Sequence, residues 1–213
     1  MFLVFLGGLH WIGSVPALWL LILFLNTGNW IYAAGFAVLA GIPGVIWTAM
    51  HRTVWTLQFG FPVYLFKELW KNIRQSFRQG WQLGMLFAFL WGIVFAPVYA
   101  AQQYGQTLPF GIVCLMTICA LLLCVISSYT YYQISRYVLS IGAALRNSIL
   151  LLINIGWRSA VVCLIWIAFV CGVLLAGQIV LPVCMFCGLT VILCAAEQAF
   201  FVPCIDKLLN SQQ

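Results

Sequence analysis

Apolar runs of about twenty residues, long enough to cross a bilayer as helices, recur along this chain and are separated by short polar breaks. Taking each run against its breaks places spans near 2–25, 31–52, 81–101, 108–133, 159–177 and 181–202. A soluble domain does not tolerate such runs: 65% of the 213 residues are hydrophobic and 6% are charged, against about a quarter charged in globular domains. The expectation is an all-α fold, one polytopic membrane helix bundle over residues 1–213, with six transmembrane helices and two cytoplasmic interfacial helical segments, 53–80 and 134–158. The opening run, MFLVFLGGLHWIGSVPALWLLILFL, lacks the basic stretch and cleavage pattern of a secretory signal and reads as a retained span.

Charge sets the orientation. The breaks NTGNW and QQYGQTL and the neighbourhood of Gly177 and Gln178 carry none, whereas Arg52, Lys67, Lys71, Arg74, Arg78, Arg136, Arg146, Arg158 and Lys207 fall in the alternate breaks and at the C-terminus. By the positive-inside rule that side is the cytoplasm, and both termini lie there. Trp30, Trp81 and Trp157 sit at span ends, as interfacial aromatics do. The excess of base over acid then reports topology, and nothing in the sequence points to nucleic acid. The nine cysteines lie in or at the ends of apolar segments, so no disulfide framework is expected.

The stretch FPVYLFKELWKNIRQSFRQGW, Phe61 to Trp81, gathers four of the nine basic residues. At about 100° per residue, Phe66, Leu69, Trp70, Ile73, Phe77 and Trp81 share one face, Lys67, Lys71, Arg74 and Arg78 form a stripe along its edge, and Glu68, Asn72, Gln75 and Gln79 fill the far side. Pro62 suits a first helical turn, and Gly80 suits a break before the next span. Two readings fit: a helix lying in the membrane interface with its cations at lipid phosphates, or a basic stripe that docks a partner. The segment from Ser135 to Ala160 partly echoes it: Lys71-Asn72 precedes Gly80-Trp81 and Trp91, as Arg146-Asn147 precedes Gly156-Trp157 and Trp166. An internal repeat of this kind is common in transport proteins.

The runs GIPGVIWTAMHRTVW, FKELWKNIRQSFRQGWQLG and YYQISRYVLSIGAALRNSILLLINIGWRSAVV together resemble the YesL-like family of bacterial membrane proteins. Phe66, Trp70, Asn72, Phe77 and Gln79 stand where that family places its aromatics, Asn and Gln, with Trp70 in place of the usual Phe. Arg146, Asn147, Asn154 and Arg158 match a later family segment. The family is one of unknown function. The resemblance implies a location in the bacterial cytoplasmic membrane and an accessory role beside carbohydrate ABC importers or their sensors; it brings no catalytic residues and no cofactor.

Several residues are candidates for chemistry, each with a plainer structural reading. Glu197 is the one acid inside an expected span and has His51, Arg136 and Arg158 as possible partners. It could form a proton or cation site, or an ion pair holding helices together. His51-Arg52 reads as a membrane-end anchor, with pH sensing by His51 the alternative, and His10 as a helix–helix hydrogen bond. Cys184 and Cys187 share a helical face but have no second pair of metal ligands nearby. Gly41-Ile42-Pro43-Gly44 interrupts the second span, as a proline kink or as a broken helix that opens carbonyls to a cavity. With three acids in the chain and no hydrolase or nucleotide motif, no enzyme, metal or cofactor is expected.

The reading is a non-catalytic accessory or regulatory membrane subunit, in contact with the bilayer and a membrane-protein partner, docking through Lys67, Lys71, Arg74 and Arg78. The alternative is an independent small-solute transporter or channel with a site near Pro43 and Glu197.

Overall fold

The computed structural model describes residues 2–58, 64–137, 139–154, 157, 159–164, 166 and 167. Among them every regular element is a helix: α1 (Phe2–Thr27), α2 (Trp30–Leu39), α3 (Gly41–Gln58), α4 (Leu65–Gln103), α5 (Phe110–Arg136) and α6 (Ile141–Asn154). Residues 157, 159–164, 166 and 167 are also helical. The expected span at 181–202, most of that at 159–177, Glu197, Arg158 and the Cys184/Cys187 pair lie outside the described residues.

Among the described residues three helical stretches are long and apolar enough to cross a bilayer: Trp30–Thr56, formed by α2 and α3, Phe66–Gln103 and Phe110–Arg136. Apart from the polar first part of Phe66–Gln103, their outer surfaces are largely apolar; the first part of α5 turns Phe110, Leu115 and Ile118 outward. Helices greasy on every side belong in lipid, and the protein is embedded in a membrane.

The breaks follow local chemistry. Gly28 takes φ +67°, which a residue without a Cβ adopts at no steric cost, and turns the chain between α1 and α2. Asn29 then caps α2, its Oδ1 accepting the Ile31 N–H at 3.0 Å. Between α2 and α3 the helix falters only at Ala40, and Pro43 sits in the first turn of α3, where its missing N–H leaves little unsatisfied. The Ala40 carbonyl accepts the Gly44 N–H at 3.4 Å, so the backbone is bonded across the bend. Ser140 caps α6, accepting the Ala143 N–H at 3.3 Å.

α3 is the central helix. Thr48, Ala49, Met50, His51 and Thr53 on it are fully buried, and Ile46, Trp47, Met50 and Val54 join Leu69, Leu83, Phe87, Leu123 and Ile134 in the main apolar core. A smaller cluster of Val125, Tyr129, Tyr132 and Val162 lies behind α5.

Gly80 does not break the chain. Instead of a surface helix followed by a span at 81–101, α4 runs 39 residues without interruption, about 58 Å at 1.5 Å per residue and nearly twice the ~30 Å hydrocarbon core. The glycine serves the crossing with α3. A Cβ at Gly80 would come within 2.7 Å of the Val45 Cα, and one at Gly84 within 2.9 Å of the Gly41 Cα. Ala40-x-x-x-Gly44 faces Gly80-x-x-x-Gly84, the small-residue spacing that lets membrane helices meet backbone to backbone. The contact offsets the roughly 1 kcal/mol that a glycine costs inside a helix.

Candidate docking surface

From that crossing α3 and α4 continue side by side toward the basic residues, and the seam between them becomes polar. Leu69, Asn72, Ser76 and Gly80 on α4 are buried against α3, where Thr48 and Thr53 are buried in turn. Asn72 Nδ2 donates to Thr53 Oγ1 at 3.1 Å, and the two hydroxyls Thr48 Oγ1 and Thr53 Oγ1 donate to their own helix, to Gly44 and Ala49 carbonyls, both at 2.8 Å. Asn72, Thr48 and Thr53, buried in this seam, are thus hydrogen-bonded, as low-dielectric packing favours.

A belt of polar contacts surrounds α4 where α5 ends. Arg52 Nε donates to the Ser135 carbonyl at 3.0 Å and its Nη1 to Gln75 Oε1 at 3.0 Å, so one guanidinium joins α3, α4 and α5. Gln79 Nε2 donates to the Leu139 carbonyl at 3.0 Å in the turn after α5. Arg136 Nη1 donates to the Tyr132 hydroxyl at 2.6 Å, and its guanidinium carbon lies 5.6, 6.0 and 5.4 Å from the ring centroids of Trp55, Tyr132 and Tyr137. An aromatic cage stabilises a partly buried cation through the ring quadrupoles. Behind it, Gln133 Nε2 donates to Ser148 Oγ at 3.1 Å, Thr130 Oγ1 lies 2.9 Å from the same oxygen, and the Tyr129 hydroxyl lies 3.0 Å from Ser159 Oγ.

Asn72, Gln75 and Gln79, on the far side of the wheel, each bond a neighbouring element, with Asn72 buried, Gln79 half-buried and Gln75 exposed. They hold α4 to its neighbours. The helical wheel orders positions correctly around the axis, but the buried seam falls between the polar side and the aromatic face, and so Asn72 and Gln79 turn toward the neighbouring elements.

What remains outward is the rest of the wheel. Lys67, Lys71, Arg74 and Arg78 are all exposed, on the side of α4 roughly opposite the seam. Beside them Phe66, Trp70 and Phe77 are 65%, 60% and 52% exposed. Lys71 Nζ reaches Glu68 Oε1 at 3.3 Å, an exposed i,i+3 pair that lies along the helix.

The chain matches no family model, no curated protein and no solved structure.

The other sequence candidates separate. His51 is buried inside α3 and Arg136 lies at the end of α5, both at the polar end of the bundle. Pro43 lies nearer the middle, lining a cavity of about 290 Å³ with His10, Ser14, Trp47, Ser127 and Tyr131. His10 meets Trp47 at a tilt, 5.1 Å between ring centroids, and Trp47 meets His51 edge-on at 5.5 Å. Sequence reasoning missed the bracing role of Arg52 and the glycine crossing. The Gly80-x-x-x-Gly84 spacing was a readable signal for the latter; nothing local marked Arg52, whose partners are 23 and 83 residues away.

Proposed function

We propose that the protein is a non-catalytic accessory or regulatory subunit of the bacterial cytoplasmic membrane, which docks a partner through Lys67, Lys71, Arg74 and Arg78. The observation that carries this reading is the exposed basic row on a helical extension clamped by Arg52, Asn72 and Gln79, a stiff mount on which, among the described residues, the one ion pair is Lys71 with Glu68. The polar groups of the bundle are largely bonded to one another, an arrangement suited to holding shape rather than to passing a solute. Six spans, with the basic residues and both termini cytoplasmic, complete the topology. The resemblance to the YesL-like family extends the proposal to a carbohydrate ABC importer or its sensor as the partner.

The test replaces Lys67, Lys71, Arg74 and Arg78 together by Glu and compares co-purification in mild detergent at native expression. The variant inserts and folds as wild type does but loses the companion protein. Unchanged co-purification overturns the docking role.

A second reading, a small-solute transporter, rests on the cavity beside Pro43 and its hydroxyl and imidazole groups. It requires solute flux in liposomes that falls in Glu197→Gln; flux at the wild-type level in that variant removes the carboxylate from any transport path.

A further inference from the structure

The exposed face of the α4 extension has a period of its own. Phe66, Trp70, Ile73 and Phe77 are spaced 4, 3 and 4 apart, the spacing of the core positions in a coiled-coil seam. Lys67, Lys71, Arg74 and Arg78 repeat the same intervals one residue later, as a flanking row of charge on one side of it. α4 thus carries two seams: Leu69, Asn72, Ser76 and Gly80 are covered by α3, while Phe66, Trp70 and Phe77 face outward. Ile73 forms the floor between them, packed against the main core.

The hydrocarbon core of the bilayer does not cover this second seam along its length. Counting back from Gln103, a ~30 Å hydrocarbon core takes up about 20 residues of helix and ends near Leu83. Even at a tilt of about 40°, the steep end of the usual range, it ends near Phe77. Trp70 and Phe66 then stand about 8 and 13 Å further out along the membrane normal. The extension cannot bend down to the surface at Gly80, because α4 is continuous there and α3 is fastened along its other side by the Asn72–Thr53 and Arg52–Gln75 bonds.

We infer that the occupant of this seam is an acidic amphipathic helix of a protein partner, about two heptads long, that packs its apolar positions over Phe66, Trp70 and Phe77 and sets carboxylates against Lys67, Lys71, Arg74 and Arg78. The inference rests on the docking role proposed above and adds the chemistry of the partner. Charge complementarity selects the sign: Glu68 is the one acid on this stretch, and it already pairs with Lys71, so the face presents a net positive row. Aromatic side chains at helical spacing can anchor a helix-on-helix interface, and the flanking cations set its charge preference.

The test uses the full chain in phosphatidylcholine nanodiscs and a synthetic three-heptad peptide with Leu at its core positions and Glu flanking them. The Glu peptide binds, and its counterpart with Lys in place of Glu binds at least roughly tenfold more weakly. The variant with all four basic residues changed to Glu reverses that preference, and Phe66→Ala/Trp70→Ala/Phe77→Ala abolishes binding of the Glu peptide. Equal binding of both peptides, binding of neither, or binding indifferent to the aromatic triple variant overturns the inference. A membrane seat is the rival outcome: if phosphatidylglycerol nanodiscs shield Lys67 and Lys71 from amine labelling and phosphatidylcholine ones do not, the seam belongs to lipid and the inference fails. Failure of the peptide arms while the charge-reversed variant still loses its native companion removes only the helix chemistry and leaves the docking role standing.

Discussion

The amide of Asn72 reaches across 3.1 Å to the hydroxyl of Thr53, joining two helices at a level beyond the crossing where Gly44 and Gly80 bring their backbones together. Both side chains are buried. The bond keeps the outer half of α4 against α3 where the packing is no longer backbone to backbone. Asn72→Ala leaves Thr53 without its donor and costs about 1 kcal/mol, with a coupling of roughly 0.5–1.5 kcal/mol to Thr53→Ala in a double-mutant cycle. Reversible unfolding in detergent measures it, and a coupling of zero would show the contact to be incidental.

Gly80→Ala forces a methyl group to within 2.7 Å of the Val45 backbone. The helices must part, and the expected loss is about 2 kcal/mol, in the range of overpacked cores. Gly92→Ala is the control. A Cβ there meets nothing within 4 Å, and the substitution leaves stability unchanged or raises it by up to about 1 kcal/mol through helix propensity.

Arg136→Lys keeps the charge but not the flat guanidinium that faces three rings and donates to the Tyr132 hydroxyl. A loss of about 1 kcal/mol follows, because cation–ring stabilisation and directional bonding favour arginine. A thermal melt in the same detergent should show Arg136→Lys below wild type; coincident melts would mean the cage contributes nothing.

The topology can be read directly. Tyr64→Cys, at the start of α4, and Gln106→Cys, in the loop before α5, lie at opposite ends of the longest helix and both positions are exposed. A membrane-impermeant maleimide labels Gln106→Cys on intact cells and Tyr64→Cys only after permeabilisation. Labelling of Tyr64→Cys on intact cells would invert the proposed orientation.

Much of the helical layout was legible. The apolar run expected at 108–133 is a helix at Phe110–Arg136, and the uncharged break NTGNW is the turn at Gly28 and Asn29. Hydropathy finds such boundaries because they are set by solvation, residue by residue. Gly80 was misread because the same residue serves two opposite ends: in isolation it weakens a helix, and at a crossing it is what allows two helices to touch. The inward contacts of Asn72 and Gln79 were not visible because a wheel shows which residues share a side without showing which side a neighbour covers. Arg52 could not have been assigned its bracing role at all, since its partners on α4 and α5 are brought near only by the fold. For the candidate site, the basic row and its aromatic neighbours were visible in the sequence, and the stiff mount that presents them was not.

An uninterrupted α4 also means that its two halves share one axis and one angular phase as far as Pro97, where a missing N–H first loosens the ladder. A rotation that a visitor imposes at Trp70 passes toward Phe89 and Ile93 through unbroken helix. Events in the aqueous compartment and the angular setting of a rod inside the lipid are mechanically one variable.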